Sequence, residues 1–270
     1  MTAHPGVLTD SATMLRRDLR RMRRYPSLTL FIAGIPVVLL LLFVYVFGGA
    51  LGPGIGGVSE GRAAYLAYVV PGILLVTVAG AAQGTAISVA MDMTSGIVAR
   101  FRTMAISRAA VLAGHVIGSV IQTMLALAVV MVVALLIGFR PTTGPVEWIA
   151  AVALLALTAV AVTWLSVALG MATKSVETAS NLPMPLMLLP FLGSGFVPTA
   201  SMPDGLRWFT ANQPFTPIIE TLRGLLMGTP IGTSGAVAVG WCVAVTLVGY
   251  VWARRLYERD PARWPGSARQ

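Results

Sequence analysis

The sequence predicts an all-α integral membrane protein with six transmembrane helices, an N-terminal amphipathic interfacial helix and a re-entrant or interfacial helical segment before the last span. Hydrophobic residues make up 56% of the 270-residue chain and charged residues only 11%, against roughly 25% charged in a soluble domain. The apolar residues also fall into continuous runs of the ~20 residues that a helix needs to cross a bilayer. Such continuous runs exclude the alternating pattern of a membrane β-barrel.

Six apolar runs define the membrane domain, which we place at residues 28–253, between a cytoplasmic tail of residues 1–27 and a basic tail of residues 254–270. The fifth run is short and is broken by proline. The predicted spans are Leu28–Phe47, Tyr65–Met91, Val111–Ile137, Trp148–Ala172, Leu182–Val197 and Ala236–Ala253.

The distribution of basic residues predicts the orientation of the chain. With six spans, fifteen Lys and Arg residues fall on one side of the membrane and four on the other. Because cytoplasmic loops carry the excess of Lys and Arg, both termini are expected in the cytoplasm. The formal net charge of +9 is therefore interpreted as topology, and we expect no nucleic-acid partner.

The segment before the first span predicts an amphipathic helix on the cytoplasmic membrane surface. In a helical projection, six arginines fill one side and apolar residues the other. Asp18 lies in the apolar sector, where a carboxylate would be poorly placed against lipid. Two interpretations stay open: an anchor to anionic lipid, or a docking surface on which Asp18 meets a cation of a partner protein. The residues of this interfacial helix are Leu15, Asp18, Leu19 and Met22.

The sequence lacks motifs of catalysis. It contains neither GxxxxGK(S/T) nor HExxH, and its histidines are His4 and His115. The single cysteine, Cys242, excludes an intramolecular disulfide and a cysteine-based metal site. We expect no catalysis by this chain alone, no bound cofactor and no metal.

Polar side chains within the spans are few, and no span carries a central Asp, Glu, Lys or Arg. Because ion-coupled transporters usually need such a group, the energy for transport would have to come from another source. Gln83, His115 and Gln122 are the candidates for a pathway. His115 and Gln122 lie seven residues apart, on one helical face. Hydrogen bonding between helices is the alternative interpretation.

Small residues recur four apart within three spans, a spacing that lets membrane helices approach closely. We expect them to pack helices rather than to bind substrate. They are Gly80, Gly84, Ser88, Gly114, Gly118, Ser166 and Gly170.

The loop between the second and third spans combines apolar and basic side chains on a short amphipathic turn after Gly96. This combination favours a protein groove, and a loop held on the membrane surface by its arginines is the alternative. The coupling-loop candidates are Arg100, Phe101, Arg102, Met104, Ile106 and Arg108.

Residues 198–235, between the fifth and sixth spans, contain apolar pieces that are too short and interrupted to cross the membrane. They predict re-entrant or interfacial half-helices on the outer side. An outer gate and plain external packing are both open interpretations.

Two stretches of the chain resemble the permease subunits of ABC-2 type exporters, in particular the daunorubicin-resistance-like branch of drug and lipid exporters. The matching residues of the inner loop are Asp92, Gly96, Arg100, Ile106, Ser107 and Arg108. In that loop Ala105 stands where a proline is common, and in the second stretch Gln213 is inserted between the family's Asn and Pro. The matching residues of this second stretch are Ser194, Gly195, Pro198, Met202, Pro203, Asn212, Pro214 and Arg223.

The resemblance implies a transmembrane subunit that pairs with a second permease copy or paralogue and with a separate nucleotide-binding ATPase subunit, which uses ATP and Mg²⁺. It implies outward movement of a hydrophobic or amphiphilic substrate across the cytoplasmic membrane of a bacterium. Phe101, Met104 and Ile106 would then dock in a groove of the ATPase, with Arg100 and Arg102 on its acidic rim. The implied outer-gate candidates are Pro198, Pro203, Asn212, Pro214 and Arg223.

Three other functions stay open at this point. An exporter of polysaccharide or lipid-linked glycan would share the same fold. A membrane-embedded enzyme acting on lipid would need facing carboxylates or histidines, whereas Asp92, Glu147, Glu177 and Glu220 are scattered over both predicted sides. A non-transporting scaffold or immunity protein would use the inner loop only to tether a partner.

Overall fold

The computed structural model describes residues 26–51, 61–94, 108–173 and 175–258. Within these ranges the chain is helical and has no β-strand, which confirms the all-α class. The predicted interfacial helix, most of the inner loop and the tail beyond residue 258 lie outside the described residues.

Long and short helices share the described chain. The long helices are α1 (Pro26–Leu42), α3 (Gly61–Thr94), α4 (Arg108–Leu136), α5 (Pro145–Ala172) and α10 (Ser234–Glu258). The short helices are α2 (Gly48–Leu51), α6 (Val176–Asn181), α7 (Met184–Leu188), α8 (Asp204–Asn212) and α9 (Phe215–Met227). A π-helical turn, Phe43–Phe47, joins α1 to α2, and a 3₁₀ turn, Thr199–Ser201, precedes α8.

Helix α3 forms the centre of the molecule. In its most apolar stretch 72% of the residues are buried, against 28% in the first and third spanning helices and 22% in α10. It packs against α1, α4, α5, α6 and α9. Its 34 residues give a length of about 51 Å, more than the ~30 Å hydrocarbon core of a bilayer. The other elements are therefore arranged around one long buried helix.

Five helical stretches of the described chain are long and apolar enough to cross a membrane, and they are Ile32–Ala50, Gly61–Met93, Val116–Leu136, Pro145–Ala172 and Ser234–Leu256. The predicted span Leu182–Val197 is not among them, so the predicted count of six is not confirmed. Its residues form the short helix α7 followed by turns. Pro183, Pro185 and Pro190 explain the interruption, because proline removes the backbone N–H that a continuous helix needs.

This broken segment, residues 182–197, nevertheless runs along α3. Just before its start, in α6, the Ser180 carbonyl accepts a hydrogen bond from Gln83 Nε2 at 2.8 Å. At its end, Gly195 contacts Gly72. Gly72 and Gln83 are eleven positions apart on α3, which corresponds to about 16 Å of helix axis, and the broken segment covers this distance in the opposite chain direction. The path has the direction that the predicted fifth span requires, although its backbone is not one helix.

Helices α8 and α9 form a hairpin, residues 204–227, next to the start of α3. Helix α9 is largely buried and is fixed to the α4–α5 connection, where Thr143 Oγ1 donates to the Leu225 carbonyl at 2.7 Å. It ends at Gly228, whose φ of 72° lies in the left-handed region that favours glycine. The segment predicted to be re-entrant or interfacial is thus two short helices.

Close helix packing depends on two glycines. A Cβ atom on Gly170 of α5 would lie 2.6 Å from the Ala86 carbonyl oxygen of α3. A Cβ atom on Gly249 of α10 would lie 2.7 Å from the Leu165 amide nitrogen of α5. The packing role predicted for Gly170 is confirmed, whereas Gly84 has open space around it, because it is exposed on α3.

Candidate functional site

The broken segment has backbone carbonyls that no helical ladder satisfies. Irregular backbone at membrane depth is tolerated only where protein or water supplies partners. Here the α8–α9 hairpin supplies three side-chain donors. The donor and acceptor pairs are Thr210 Oγ1 to the Leu192 carbonyl (2.7 Å), Gln213 Nε2 to the Leu189 carbonyl (3.1 Å) and Arg223 Nη2 to the Ser194 carbonyl (2.7 Å). The hairpin is therefore held against the broken segment by side-chain hydrogen bonds. These hydrogen bonds would break if the hairpin and the segment moved apart.

Arg223 joins three elements of the fold. From α9, its Nη2 donates to the Ser194 carbonyl and, at 3.3 Å, to the Tyr68 carbonyl of α3. Its Cζ lies 3.8 Å from the centroid of the Tyr68 ring, in a cation–π arrangement. Burial lowers the pKa of Arg223, while Tyr68 and Glu220 raise it. An arginine remains charged in proteins, so this contact places a positive charge beside the broken segment.

A glycine pair brings the broken segment onto α3. A Cβ atom on Gly72 would lie 2.8 Å from both the Cα and the carbonyl oxygen of Gly195. Conversely, a Cβ atom on Gly195 would lie 3.0 Å from the Gly72 Cα. Backbone therefore meets backbone here, and the contact requires glycine on both sides.

Aromatic rings attach the end of the broken segment to the π-helical turn. Phe196 packs on Phe43 with ring centroids 4.7 Å apart and stacks on Phe191 at 4.6 Å. Single π-turns within helices occur frequently at functional sites. The turn, the glycine contact and the three side-chain bonds together make the broken segment the candidate site.

Comparison with known proteins identifies the family of this chain. Residues 10–227 match the family described as ABC-2 type transporter. The chain belongs to the ABC-2 type transporter family. It is 28% identical over 229 residues to the daunorubicin resistance ABC transporter permease protein DrrB1 of Streptomyces coeruleorubidus. The aligned residues make up 84% of this chain and 78% of that protein.

A second relative comes from Mycobacterium tuberculosis. The chain is 26% identical over 215 residues to its probable doxorubicin resistance ABC transporter permease protein DrrC, covering 78% of this chain and 76% of that protein. These findings confirm the resemblance to daunorubicin-resistance-like permeases. With its apolar spans, this ABC-2 chain is a multi-pass membrane protein of the permease kind.

The outer-gate candidates of this ABC-2 chain lie within the hairpin or in the six residues before it. Pro198, Pro203 and Pro214 precede the first residues of the 3₁₀ turn, of α8 and of α9 respectively, where a missing N–H costs little. Asn212 is exposed, and its Nδ2 donates to the Trp208 carbonyl of the same helix at 2.7 Å. Of the five candidates, Arg223 is the one whose side chain bonds to the broken segment.

The pathway candidates are not brought together by hydrogen bonds among the described side chains. Gln83 is bonded to the Ser180 carbonyl, so it joins α3 to α6, which agrees with the alternative interpretation of inter-helix bonding. Gln122 is half-buried on α4. His115 lies in α4, but its side chain is outside the described part of the structure. A role in a pathway stays a prediction.

The remaining predicted residues cannot be placed. Arg100, Phe101, Arg102, Met104 and Ile106 of the coupling loop lie outside the described residues, as do Leu15, Asp18, Leu19 and Met22 of the interfacial helix. Arg108 is the first residue of α4, with an undescribed side chain. Among the described residues, no group of His, Cys, Asp or Glu could hold a metal ion.

Sequence reasoning missed Thr210, Gln213 and Tyr68 as parts of the site. Thr210 is fully buried and Gln213 nearly so. The signal for Gln213 was its position, since it is the residue inserted relative to the common family pattern. No sequence pattern indicates Tyr68, because its contact with Arg223 joins residues 155 apart in the chain.

Proposed function

We propose that this chain is the permease subunit of an ATP-driven exporter that moves a hydrophobic or amphiphilic substrate outward. Drugs, lipids and lipid-linked products are the substrate classes. ATP binding and hydrolysis take place in a separate nucleotide-binding subunit, and the permease works with a second copy or a paralogue. The relatives named as daunorubicin and doxorubicin resistance permeases support this proposal.

The observation that carries the proposal is the closure of the broken segment by the α8–α9 hairpin. An exporter needs two permease states that differ in access to the outer side, and its energy source must bind them differently. Thr210, Gln213 and Arg223 bridge the two parts with hydrogen bonds to backbone carbonyls. These hydrogen bonds can break and re-form without unfolding a spanning helix. A contact of this kind can open and close access to the outer side.

The composition of the spans supports an external energy source. Within the five spanning stretches, charged residues such as Arg62, Asp92 and Glu147 lie toward the ends. A substrate of low polarity can pass between such spans, while a coupling proton or ion would find no central titratable group. Energy then comes from an ATPase subunit.

The inner loop is the proposed contact with that ATPase. Phe101, Met104 and Ile106 dock in its groove, and Arg100 and Arg102 bind its acidic rim. The interfacial helix, with Asp18 toward the partner, lies beside this contact. Both termini are cytoplasmic in this arrangement, and the chain lies in the plasma membrane of a bacterium.

The proposal is tested by transport into inside-out membrane vesicles that contain this chain and its ATPase partner, with daunorubicin as the probe. We expect ATP-dependent uptake that Phe101→Asp abolishes and that Thr103→Ala, in the same loop, leaves within twofold. Uptake that persists without this chain, or that proceeds equally without ATP, would contradict the proposal.

A further inference from the structure

Helix α10 packs through one face and exposes the opposite one. The packed face meets α5, where a Cβ atom on Gly249 would lie 2.7 Å from the Leu165 amide nitrogen. In a helical projection, the face turned away from α5 carries an open groove of about 390 Å³, which we call the α10 groove. The residues that line it are Leu247, Val248, Val251, Trp252 and Arg255.

Two ridges of side chains form the walls of the α10 groove. Residues four apart on a helix line up in ridges, with grooves between them. Leu247, Val251 and Arg255 make one ridge, and Val248 and Trp252 make the other. The four apolar side chains are all exposed, although they belong to a helix long and apolar enough to span the membrane. The walls of the groove therefore suit the hydrocarbon chain of a lipid.

The length of the α10 groove matches one leaflet of a bilayer. The spanning stretch of α10 is Ser234–Leu256, so Arg255 lies at its very end. Leu247 and Arg255 are eight positions apart, which corresponds to about 12 Å of helix axis. Half of the hydrocarbon core of a bilayer is about 15 Å thick. With the apolar walls beside the lipid chains of one leaflet, the guanidinium of Arg255 reaches the level of the head groups.

Arg255 brings a positive charge to the end of the α10 groove. In the described part of the chain, no carboxylate lies within ion-pair distance of its guanidinium. The neighbouring Arg254 differs, because its Nε lies 2.9 Å from Glu258 Oε1. Arginine binds phosphate oxygens through paired hydrogen bonds. An apolar groove that ends in an available guanidinium is complementary to a phosphate group attached to an acyl chain.

We propose that the α10 groove binds one anionic phospholipid, with the phosphate on Arg255 and an acyl chain between the two ridges. The indole of Trp252 lies one turn or less from Arg255, at the level where aromatic side chains are enriched in membrane proteins. Basic-residue counts predict that this end of α10 is cytoplasmic, so the lipid belongs to the inner leaflet, where anionic lipids attract basic side chains. The site does not depend on ATP-driven export.

The head-group contact is tested on the full chain, purified in a neutral maltoside detergent and titrated with anionic phosphatidylglycerol or zwitterionic phosphatidylcholine. Native mass spectrometry counts the lipids bound per chain. We expect the wild type to bind phosphatidylglycerol more tightly, and Arg255→Gln to weaken that binding about fivefold, the effect of one basic residue at an anionic surface. The matched control is Arg254→Gln, which should bind within about twofold of the wild type because Arg254 is already paired with Glu258.

The acyl-chain contact is tested by filling the groove. Val251→Trp places a larger side chain beside the space between the ridges, and we expect it to weaken the binding of both lipids severalfold. Val243→Trp is the matched control and should bind like the wild type, because Val243 is also exposed on α10 but does not line the groove. All the substituted side chains are exposed, so the melting temperatures without added lipid should equal that of the wild type.

Two results would overturn the lipid site. Equal phosphatidylglycerol affinities of the wild type, Arg255→Gln and Val251→Trp would show that lipid does not bind in the α10 groove. A wild type that is dimeric and binds no lipid, together with a monomeric Val251→Trp, would assign the groove to a second copy of the chain. Failure of ATP-dependent export would leave these binding results unchanged, so the site and the proposed function are tested separately.

Discussion

At the scale of single residues, Thr210 and Thr246 show that the contribution of a hydroxyl to stability depends on the carbonyl to which it donates. Thr210 is fully buried and donates at 2.7 Å to the Leu192 carbonyl of the broken segment. Thr246 donates at 2.7 Å to the Cys242 carbonyl within α10. A helical carbonyl already accepts a backbone bond, whereas the Leu192 carbonyl depends on Thr210.

We predict that Thr210→Val lowers the free energy of unfolding by about 1–3 kcal/mol, because it keeps the shape and leaves an acceptor unsatisfied. Thr246→Val should change it by less than about 0.5 kcal/mol. Denaturant unfolding in detergent micelles, followed by circular dichroism, measures both. Equal effects of the two substitutions would show that the hairpin does not hold the broken segment through this bond.

Single residues of the site could be predicted from the sequence only in part. Arg223 was indicated by the family resemblance, and it contacts both α3 and the broken segment. The resemblance also indicated Asn212, yet the buried amide belongs to the next residue, Gln213. A shift of one position at a helix end turns a side chain from solvent to core, and only the packed structure reveals which neighbour is inside.

At the scale of helices, contact distance between α3 and α5 depends on a glycine. A Cβ atom on Gly170 would lie 2.6 Å from the Ala86 carbonyl oxygen, and backbone cannot give way as a flexible side chain can. On α3 itself, Gly84 meets nothing within 4 Å. The spacing of small residues predicted both as packing positions, but spacing does not tell which face meets a neighbour.

We predict that Gly170→Ala lowers the free energy of unfolding by about 1–3 kcal/mol through overpacking. Gly84→Ala should leave it unchanged or raise it by about 0.5–1 kcal/mol, because alanine favours helix more than glycine does. The melting temperatures of the two purified variants give the comparison. A Gly170→Ala protein as stable as the wild type would mean that α3 and α5 do not pack this closely.

The long helices could be predicted from the sequence, whereas the broken segment could be predicted only in part. Apolar length alone indicated α1, α3, α4, α5 and α10, since a bilayer demands it. The prolines indicated that the fifth run would be interrupted. Its closure against α3 depends on the Gly72–Gly195 contact between residues more than 120 positions apart, which local sequence does not encode.

At the scale of the whole molecule, the sequence predicts that the broken segment connects opposite sides of the membrane, and its antiparallel contacts along α3 agree with that prediction. Glu177 lies in α6, directly before the segment, and Thr229 follows α9, whose Arg223 contacts Tyr68 in the first part of α3. Glu177 and Thr229 are both exposed. Basic-residue counts predict the Glu177 side to be cytoplasmic.

We predict opposite labelling of single cysteines at these two positions, in a Cys242→Ser background. In intact cells, a membrane-impermeant maleimide should modify Thr229→Cys and leave Glu177→Cys unmodified until the cells are opened. The labelled fraction is read from the mass of the purified chain. Labelling of both positions from outside would mean that the segment does not cross.

The central claim is that this ABC-2 chain is driven by a separate ATPase through its inner loop, and affinity purification in mild detergent tests it most directly. Mass spectrometry of the purified material should identify a subunit with a Walker A motif bound to the wild type and to Thr103→Ala. Phe101→Asp should lose that subunit while the chain itself stays at its normal level. A chain that purifies alone from cells containing the ATPase, with Phe101→Asp behaving identically, would contradict the account.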